Sequence, residues 1–260
     1  MLNPAQVEHY HTHGYVIPDL RLPEALITDM DGRISRLIDA HPEFRDNCPA
    51  LLRYDMGFAD YCRTPPILDM VAQLIGDDIA LWNMSLFAKP AGNGKATPWH
   101  QDGEYWPIRP LATCTVWVAI DAATRENGCL RIVPGSHREQ KLYAHRTNES
   151  PALTLHQELC EDQFDEAEAV DLVLERGQIS LHDVYLMHGS APNTSPKRRR
   201  GLTMRFMPTT SVYDLDIAEA MFARGGKSNL ALNPVLLMRG EDRTGRNRFH
   251  ATSPVQRIPN

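Results

Sequence analysis

The stretch Thr113-Cys114-Thr115-Val116-Trp117-Val118-Ala119-Ile120-Asp121 reads as a β-strand with two unlike faces. Side chains alternate across a strand, so Thr113, Thr115, Trp117, Ala119 and Asp121 share one side, and Cys114, Val116, Val118 and Ile120 the other. Arg199–Phe206 repeats the design, with Arg199, Thr203 and Arg205 opposite Leu202, Met204 and Phe206. The aliphatic faces suit a core. The polar faces are wet in an ordinary sandwich, but line a site in a jelly roll with a polar interior.

Outward from these two stretches, Ala80–Lys89, Gly128–Pro134, Ala169–Glu175, Gln178–His182 and Arg200–Pro208 are short runs rich in β-branched and aromatic residues, separated by Gly, Pro, Asn and Asp turns. The first third is helical in pattern. Asn3-Pro4 is an N-cap with proline at the first helical position, and Gly14 stops that run. Leu26, Met30, Ile34, Leu37 and Ile38 mark an amphipathic helix that ends before Pro42, and a third helix spans Pro66–Ile75 ahead of Gly76. Helices first and strands afterwards, without β-α-β alternation, give a mainly β fold with flanking helices, a sandwich or jelly roll. No linker-like break divides the chain, so residues 1–260 read as a single domain. It has a helical N-terminal part (1–78), a core (79–210) and a C-terminal extension (211–260). The polar, weakly patterned segment 138–168 reads as an insertion of the kind that forms lids or binding loops.

Composition narrows the function classes. Hydrophobic residues make up 42% and charged residues 23%, ordinary globular values. A net charge of −6 argues against nucleic acid as the main partner, and no run approaches the roughly 18 apolar residues of a membrane span. The first residues show no signal-peptide pattern, and the five scattered cysteines form no C-x-x-C pair, which suits free thiols in a reducing cytoplasm.

Chemistry concentrates in Trp99-His100-Gln101-Asp102-Gly103. In an extended chain His100 and Asp102 point the same way, so an imidazole nitrogen and a carboxylate oxygen can bind one metal. His188 is the candidate third ligand, completing the two-histidine, one-carboxylate set of non-heme Fe(II) oxygenases. After His188 a Gly-Ser-Ala-Pro-Asn loop leads to Arg199 at the start of the next strand. If those strands are adjacent, the Arg199 guanidinium comes near the metal, where it suits the far carboxylate of a dicarboxylic cosubstrate. His182, next to Asp183, reads as a core or supporting residue. His9, His11 and His13 alternate by two on a helix and cannot chelate together. His137 reads as structural, Cys114 and Cys129 as core, and Arg239, Arg243, Arg246 and Arg248 as a solvated face.

Three ordered motifs, Trp99–Pro110 (WHQDGEYWPIRP), Thr115–His137 (TVWVAIDAATRENGCLRIVPGSH) and His188–Phe206 (HGSAPNTSPKRRRGLTMRF), together with Tyr10–Ile17, make the chain resemble the phytanoyl-CoA dioxygenase-like family of Fe(II)- and 2-oxoglutarate-dependent oxygenases. The resemblance implies a cupin-like double-stranded β-helix, with iron ligands His100, Asp102 and His188 and with Arg199 on the C5 carboxylate of 2-oxoglutarate. It also implies cosubstrate-pocket roles for Ser190, Trp117 and Thr115. The implied reaction is hydroxylation of a C–H bond using O2, with release of succinate and CO2. Asp102 occupies the position that chloride needs in related halogenases, which argues against halogenation. A binding protein that had lost its chemistry should lack a ligand or the arginine, and this chain has them all.

For the substrate, Arg205 shares the Arg199 face and points into the same barrel, while Tyr105, Trp106 and Arg109 follow the H-x-D motif closely enough to border the iron. Lys141, His145 and Arg146 on the insertion are placed to close over them. These cations and aromatic rims favour a small polar or anionic metabolite, with an acyl-CoA thioester as the alternative.

Overall fold

Two physical demands set the architecture: the aliphatic strand faces need cover, and the polar faces need a partner other than bulk water. The computed structural model describes residues 1–224 and 228–251, so part of the C-terminal extension lies outside the described residues. The helices are α1 (Pro4–His13), α2 (Glu24–Ala40), α3 (Pro65–Ile75) and α4 (Leu215–Ala223). The strands in chain order begin with β1 (Tyr15–Val16), β2 (Asn47–Cys48), β3 (Ile79–Lys89), β4 (Thr97–His100) and β5 (Ile108–Arg109). They continue with β6 (Cys114–Ala119), β7 (Leu130–Ile132), β8 (His145–Thr147), β9 (Gln157–Leu159) and β10 (Val170–Leu172). β11 (Ile179–Asp183), β12 (His188–Ser190), β13 (Arg199–Pro208), β14 (Val212–Tyr213) and β15 (Leu236–Arg239) complete the set.

Helix α1 starts as its sequence dictates. The Asn3 side chain accepts from the Gln6 backbone N–H, the Gln6 side chain returns the bond, and Gly14 closes the end in the left-handed conformation. α2 and α3 turn Ile27, Met30, Ile34, Ile67, Met70 and Val71 onto one sheet face. There they meet Cys114, Val116 and Val118 of β6 and Leu202, Met204 and Phe206 of β13, all fully buried. That face is the aliphatic one.

The large sheet runs β1-β11-β6-β13-β3-β15, with β2 also paired to β3, and all its pairs are antiparallel. A second sheet runs β10-β7-β12-β4. The two sheets enclose the polar faces of β6 and β13, which are therefore buried rather than wet. The N-terminal part contributes more than helices, since β1 and β2 are hydrogen-bonded into the large sheet, and β15 of the C-terminal extension pairs with β3.

The 138–168 insertion contains the β8–β9 hairpin and is stitched down at several points. Ala96 bridges Leu153, and the buried Gln101 side chain donates to the carbonyls of Lys141 and Tyr185 while accepting from Tyr143 N–H. No helix among the described residues is long and apolar enough to cross a membrane.

Candidate metal and cosubstrate site

The two sheets meet around a cleft with about 440 Å³ of empty space, part of it open to solvent. The large sheet supplies Phe87, Trp117, His182, Arg199, Thr203 and Arg205; the small sheet supplies Thr97, His100, Leu130, His188 and Ser190. Asp102, in the turn after β4, completes the wall.

His100 and His188 are paired in register across β4 and β12, and their ring centroids lie 4.1 Å apart. Each imidazole is held alike. His100 Nδ1 donates to Pro98 O at 2.8 Å, and His188 Nδ1 donates to Leu186 O at 2.9 Å. A backbone carbonyl can only accept, so each Nδ1 carries the hydrogen and each Nε2 keeps its lone pair, the tautomer a metal ligand requires. Asp102 Oδ1 lies 3.7 Å from His100 Nε2. One ligand atom from each of His100, Asp102 and His188 falls within 4.8 Å of the others, and all three residues are buried. Two bare imidazole nitrogens and a carboxylate make a three-ligand set with positions left open for exogenous ligands, and its donor chemistry fits Fe(II).

The electrostatics keep those ligands in their binding forms. Burial alone would raise the Asp102 carboxyl, yet His100, His182 and Arg205 beside it hold it well below the usual carboxylate range. Burial, reinforced by His100, holds His188 well below the ordinary histidine value.

Arg199 lies at the opposite end of the cleft from Arg205, on the same face of β13. Its strand is not adjacent to that of His188: β12 and β13 belong to different sheets, so the arginine reaches the cleft across the barrel rather than along a shared ladder. The side chain is buried, and its guanidinium carbon sits 5.7 Å from the Trp117 ring centroid. Nε and Nη2 donate to Gly128 O at 3.1 and 2.7 Å, and Nη1 donates to Phe87 O at 3.3 Å. Of five N–H groups, two at the outer end therefore remain free. Burial lowers the guanidinium to about 10, so it stays a cation at neutral pH. Gly201, two residues on, makes room for this arrangement, since a Cβ there would come within 2.1 Å of Trp117 Cζ2.

Other residues singled out in the sequence fall at varied distances from this centre. Ser190 lines the cleft. Thr115 is opposite Arg205 in register, at the far end from Arg199. Arg205 is buried at that end, with Nη2 4.0 Å from Asp102 Oδ1. Trp106 packs against it, its ring 5.1 Å from the guanidinium carbon. The Tyr105 ring lies 6.2 Å from that of His100, and its hydroxyl donates to Gln157 O in the insertion. Arg109 is exposed and turns back onto the carbonyls of Trp106 and Ile108, away from the cleft.

The insertion does not bring its cations inward either. Arg146 pairs with Glu158 and Glu161, and Lys141 sits 4.7 Å from the Tyr143 ring centroid. His145 instead accepts the Gln101 N–H on Nε2 while donating to Tyr143 O, so the insertion is anchored to the residue between the two H-x-D ligands. His137 binds His11 O in α1, and Arg239 and Arg243 pair with Asp69 and Asp78.

Two residues carry more than the sequence signalled. His182 lines the cleft, its Nε2 3.6 Å from Asp102 Oδ2. Lys89 is buried directly opposite Arg199 in the β3–β13 register. Its amine donates to Ala191 O at 2.8 Å and to Lys95 O. Burial, reinforced by the Arg199 charge, pushes the Lys89 amine down to about 6. The run of apolar residues before it hid this cation as the tail of a core strand.

Comparison with known proteins shows the family and the fold. A family model described as phytanoyl-CoA dioxygenase matches residues 2–201. A probable phytanoyl-CoA dioxygenase of Caenorhabditis elegans is 30% identical over 180 residues, covering 64% of this chain and 57% of that protein. A probable alpha-ketoglutarate-dependent hypophosphite dioxygenase of Stutzerimonas stutzeri is 31% identical over 146 residues, covering 55% of this chain and 50% of its own length. The chain thus spans about half the length of the curated relatives it matches. Among solved structures, the apo form of the non-heme monooxygenase ThoJ superposes with a TM-score of 0.71 at 27% identity, covering 94% of this chain and 86% of ThoJ. The alpha-ketoglutarate-dependent carbocyclase SnoK shares the fold, with a TM-score of 0.69 at 20% identity over 90% of this chain and 96% of its own.

Proposed function

The chain belongs to the phytanoyl-CoA dioxygenase family, and from that premise we propose that it is an Fe(II)- and 2-oxoglutarate-dependent dioxygenase that hydroxylates a C–H bond of a small polar or anionic metabolite. The observation that carries this reading is the convergence of His100, Asp102 and His188 on one buried point, with Arg199 in the same cleft. Iron(II) bound by His100, Asp102 and His188 would, with 2-oxoglutarate and O2, supply the oxidising chemistry, the overall products being succinate, CO2 and the hydroxylated substrate.

The protein's own residues bind, orient and exclude. His100 and His188 present Nε2 because Pro98 O and Leu186 O hold their Nδ1 hydrogens. Asp102 stays ionised through its cationic and imidazole neighbours. The two free N–H groups of Arg199 take the distal carboxylate of the cosubstrate, fixing its other end toward the metal. Trp117 flanks that guanidinium, and the ligand side chains and both arginines are buried. We read residues 1–260 as one oxygenase domain, because strands from both flanking parts complete the sheet that forms this wall.

The direct test is formation of succinate from 2-oxoglutarate by the iron-loaded chain in air. Slow succinate release without added substrate, stimulated by a small polar or anionic compound, is the expected result; none under any condition contradicts the reading.

Lys89 yields a further expectation. Burial is the main cause of the low Lys89 value and the Arg199 charge the second; a carboxylate docked on Arg199 offsets the second, so the folded-state value rises above about 6. Binding should then take up a proton around pH 7 and cease to do so well below pH 6, where the amine is already charged. Calorimetry of 2-oxoglutarate binding to the metal-loaded protein, in buffers of different ionisation enthalpy, measures this uptake. Lys89→Met should abolish it, and uptake equal in both proteins would refute the assignment.

A further inference from the structure

One row of polar side chains crosses the large sheet at the end of the cleft away from Arg199. His182 on β11 lies opposite Thr115 on β6, and Thr115 lies opposite Arg205 on β13. All three are buried. Both ring nitrogens of His182, the Thr115 hydroxyl and Arg205 Nε have no hydrogen-bond partner. Buried polar atoms in folded proteins are nearly always paired; His182 and Arg205 line the cleft and Thr115 lies between them in the sheet, so unpaired atoms there call for a ligand.

Arg205 is held as a binding group is held. Its guanidinium carbon lies 5.9, 5.9 and 5.1 Å from the ring centroids of Trp82, Phe87 and Trp106, and Nη1 donates to Ser85 Oγ at 2.5 Å. That leaves the Nε–Nη2 edge open, the planar two-donor fork that matches a carboxylate. The nearest carboxylate oxygen, on Asp102, is 4.0 Å from Nη2 and belongs to the metal site. Charge points the same way. The cleft wall carries Asp102 against Arg199 and Arg205, and a bound Fe(II) is balanced by the two carboxylates of 2-oxoglutarate. One positive charge is left over. With Arg199 engaged by the cosubstrate, Arg205 is the cleft-lining cation left without an anion of its own; its Cα is about 20 Å along the same strand at about 3.3 Å per residue.

We propose that Arg205, with Thr115 and His182, forms the site for a carboxylate of the primary substrate, at the opposite end of the cleft from the cosubstrate's distal carboxylate. The proposal rests on the oxygenase reading above and gives its substrate class: a small carboxylic acid, anchored beside Asp102 so that a carbon near its carboxylate faces the metal. Thr115 and His182 add hydrogen bonds to the same group. Trp106 shapes the pocket around the fork.

The test uses the full chain loaded with Ni(II) and 2-oxoglutarate, which cannot turn over, and reads tryptophan fluorescence, because Trp82 and Trp106 flank the guanidinium. The probes are butyrate, hexanoate, benzoate and 3-phenylpropionate, each titrated against its primary amide. We expect at least one acid to bind about tenfold or more tighter than its amide, the ratio a charge-assisted bond supplies. Arg205→Gln should erase that preference, with a larger loss for the acid than for 2-oxoglutarate, and Arg205→Lys should restore part of it. Thr115→Val, nearly isosteric and safe for folding, should weaken the acid severalfold and leave the amide alone. No acid-over-amide preference in any pair, or a preference that survives Arg205→Gln, overturns the proposal. So does an Arg205→Gln protein whose main loss is in nickel affinity, which would make the arginine a support for Asp102. Succinate formation by the iron-loaded wild type separates the two claims. Turnover without an acid preference overturns the carboxylate site alone, and absence of turnover overturns the oxygenase reading.

Discussion

Replacing His188 with alanine is expected to abolish 2-oxoglutarate turnover and to weaken Fe(II) binding by well over the roughly 10–100-fold that loss of a mere supporting contact costs a metal site. The imidazole is buried, its Nδ1 is tied to Leu186 O, and its Nε2 is one of the three donors that converge among the described residues. Alanine leaves two ligands, too few to hold the ion against water. The same change removes little from the hydrophobic core, which lies on the other side of the large sheet. Far-ultraviolet circular dichroism and the thermal midpoint of the metal-free protein should therefore stay close to the parent's. Metal content after dialysis reads the effect directly. A His188→Ala protein that retains iron and turns over like the parent would remove His188 from the ligand set.

Arg199→Ala carries the second large effect. A charge-assisted fork to a desolvated carboxylate contributes on the order of 1.5–3 kcal/mol, so the half-saturating 2-oxoglutarate level should rise about tenfold to a hundredfold or more. The truncation also leaves Gly128 O and Phe87 O without their donor, so some loss of stability is expected alongside. Arg199→Lys separates the two effects. An ammonium retains charge and can reach one carbonyl, but cannot reproduce the planar fork, so it should recover stability better than cosubstrate affinity. Half-saturation by 2-oxoglutarate, measured at fixed iron, is the readout. An unchanged value in Arg199→Ala would assign the cosubstrate's distal carboxylate elsewhere, with Arg205 the other cation lining the cleft.

The polar faces of β6 and β13 were legible because strand parity is local: it depends only on alternation, and alternation survives any sheet order. The H-x-D pair was legible for the same reason. Sheet order itself is not local. His188 and Arg199 are close in sequence, which invites the idea of adjacent strands, yet the Pro192–Lys197 loop carries the chain from one sheet to the other. β4 and β12, the strands that bear the ligands, are four and three residues long and contain Pro98 and Gly189, so they present no period to read. Arg109 looked like a site residue by nearness to Asp102 in sequence, but a turn intervenes and its guanidinium folds onto its own backbone. His182 was legible only as a core or supporting residue, for the opposite reason. Its significance comes from lying opposite Thr115 and beside Asp102, contacts made by residues far apart in the chain. The insertion's hairpin and the Gln101 clamp depend on long-range pairing as well, which composition does not record.

The measurement that bears most directly on the central claim is a crystal structure of the full chain grown without oxygen in the presence of Fe(II) and 2-oxoglutarate. The account predicts one iron bonded to Nε2 of His100, Nε2 of His188 and a carboxylate oxygen of Asp102, with the distal carboxylate of 2-oxoglutarate on Arg199 and the Arg205 fork left for another ligand. Iron bound outside that triad, or the distal carboxylate seated on Arg205, would contradict it.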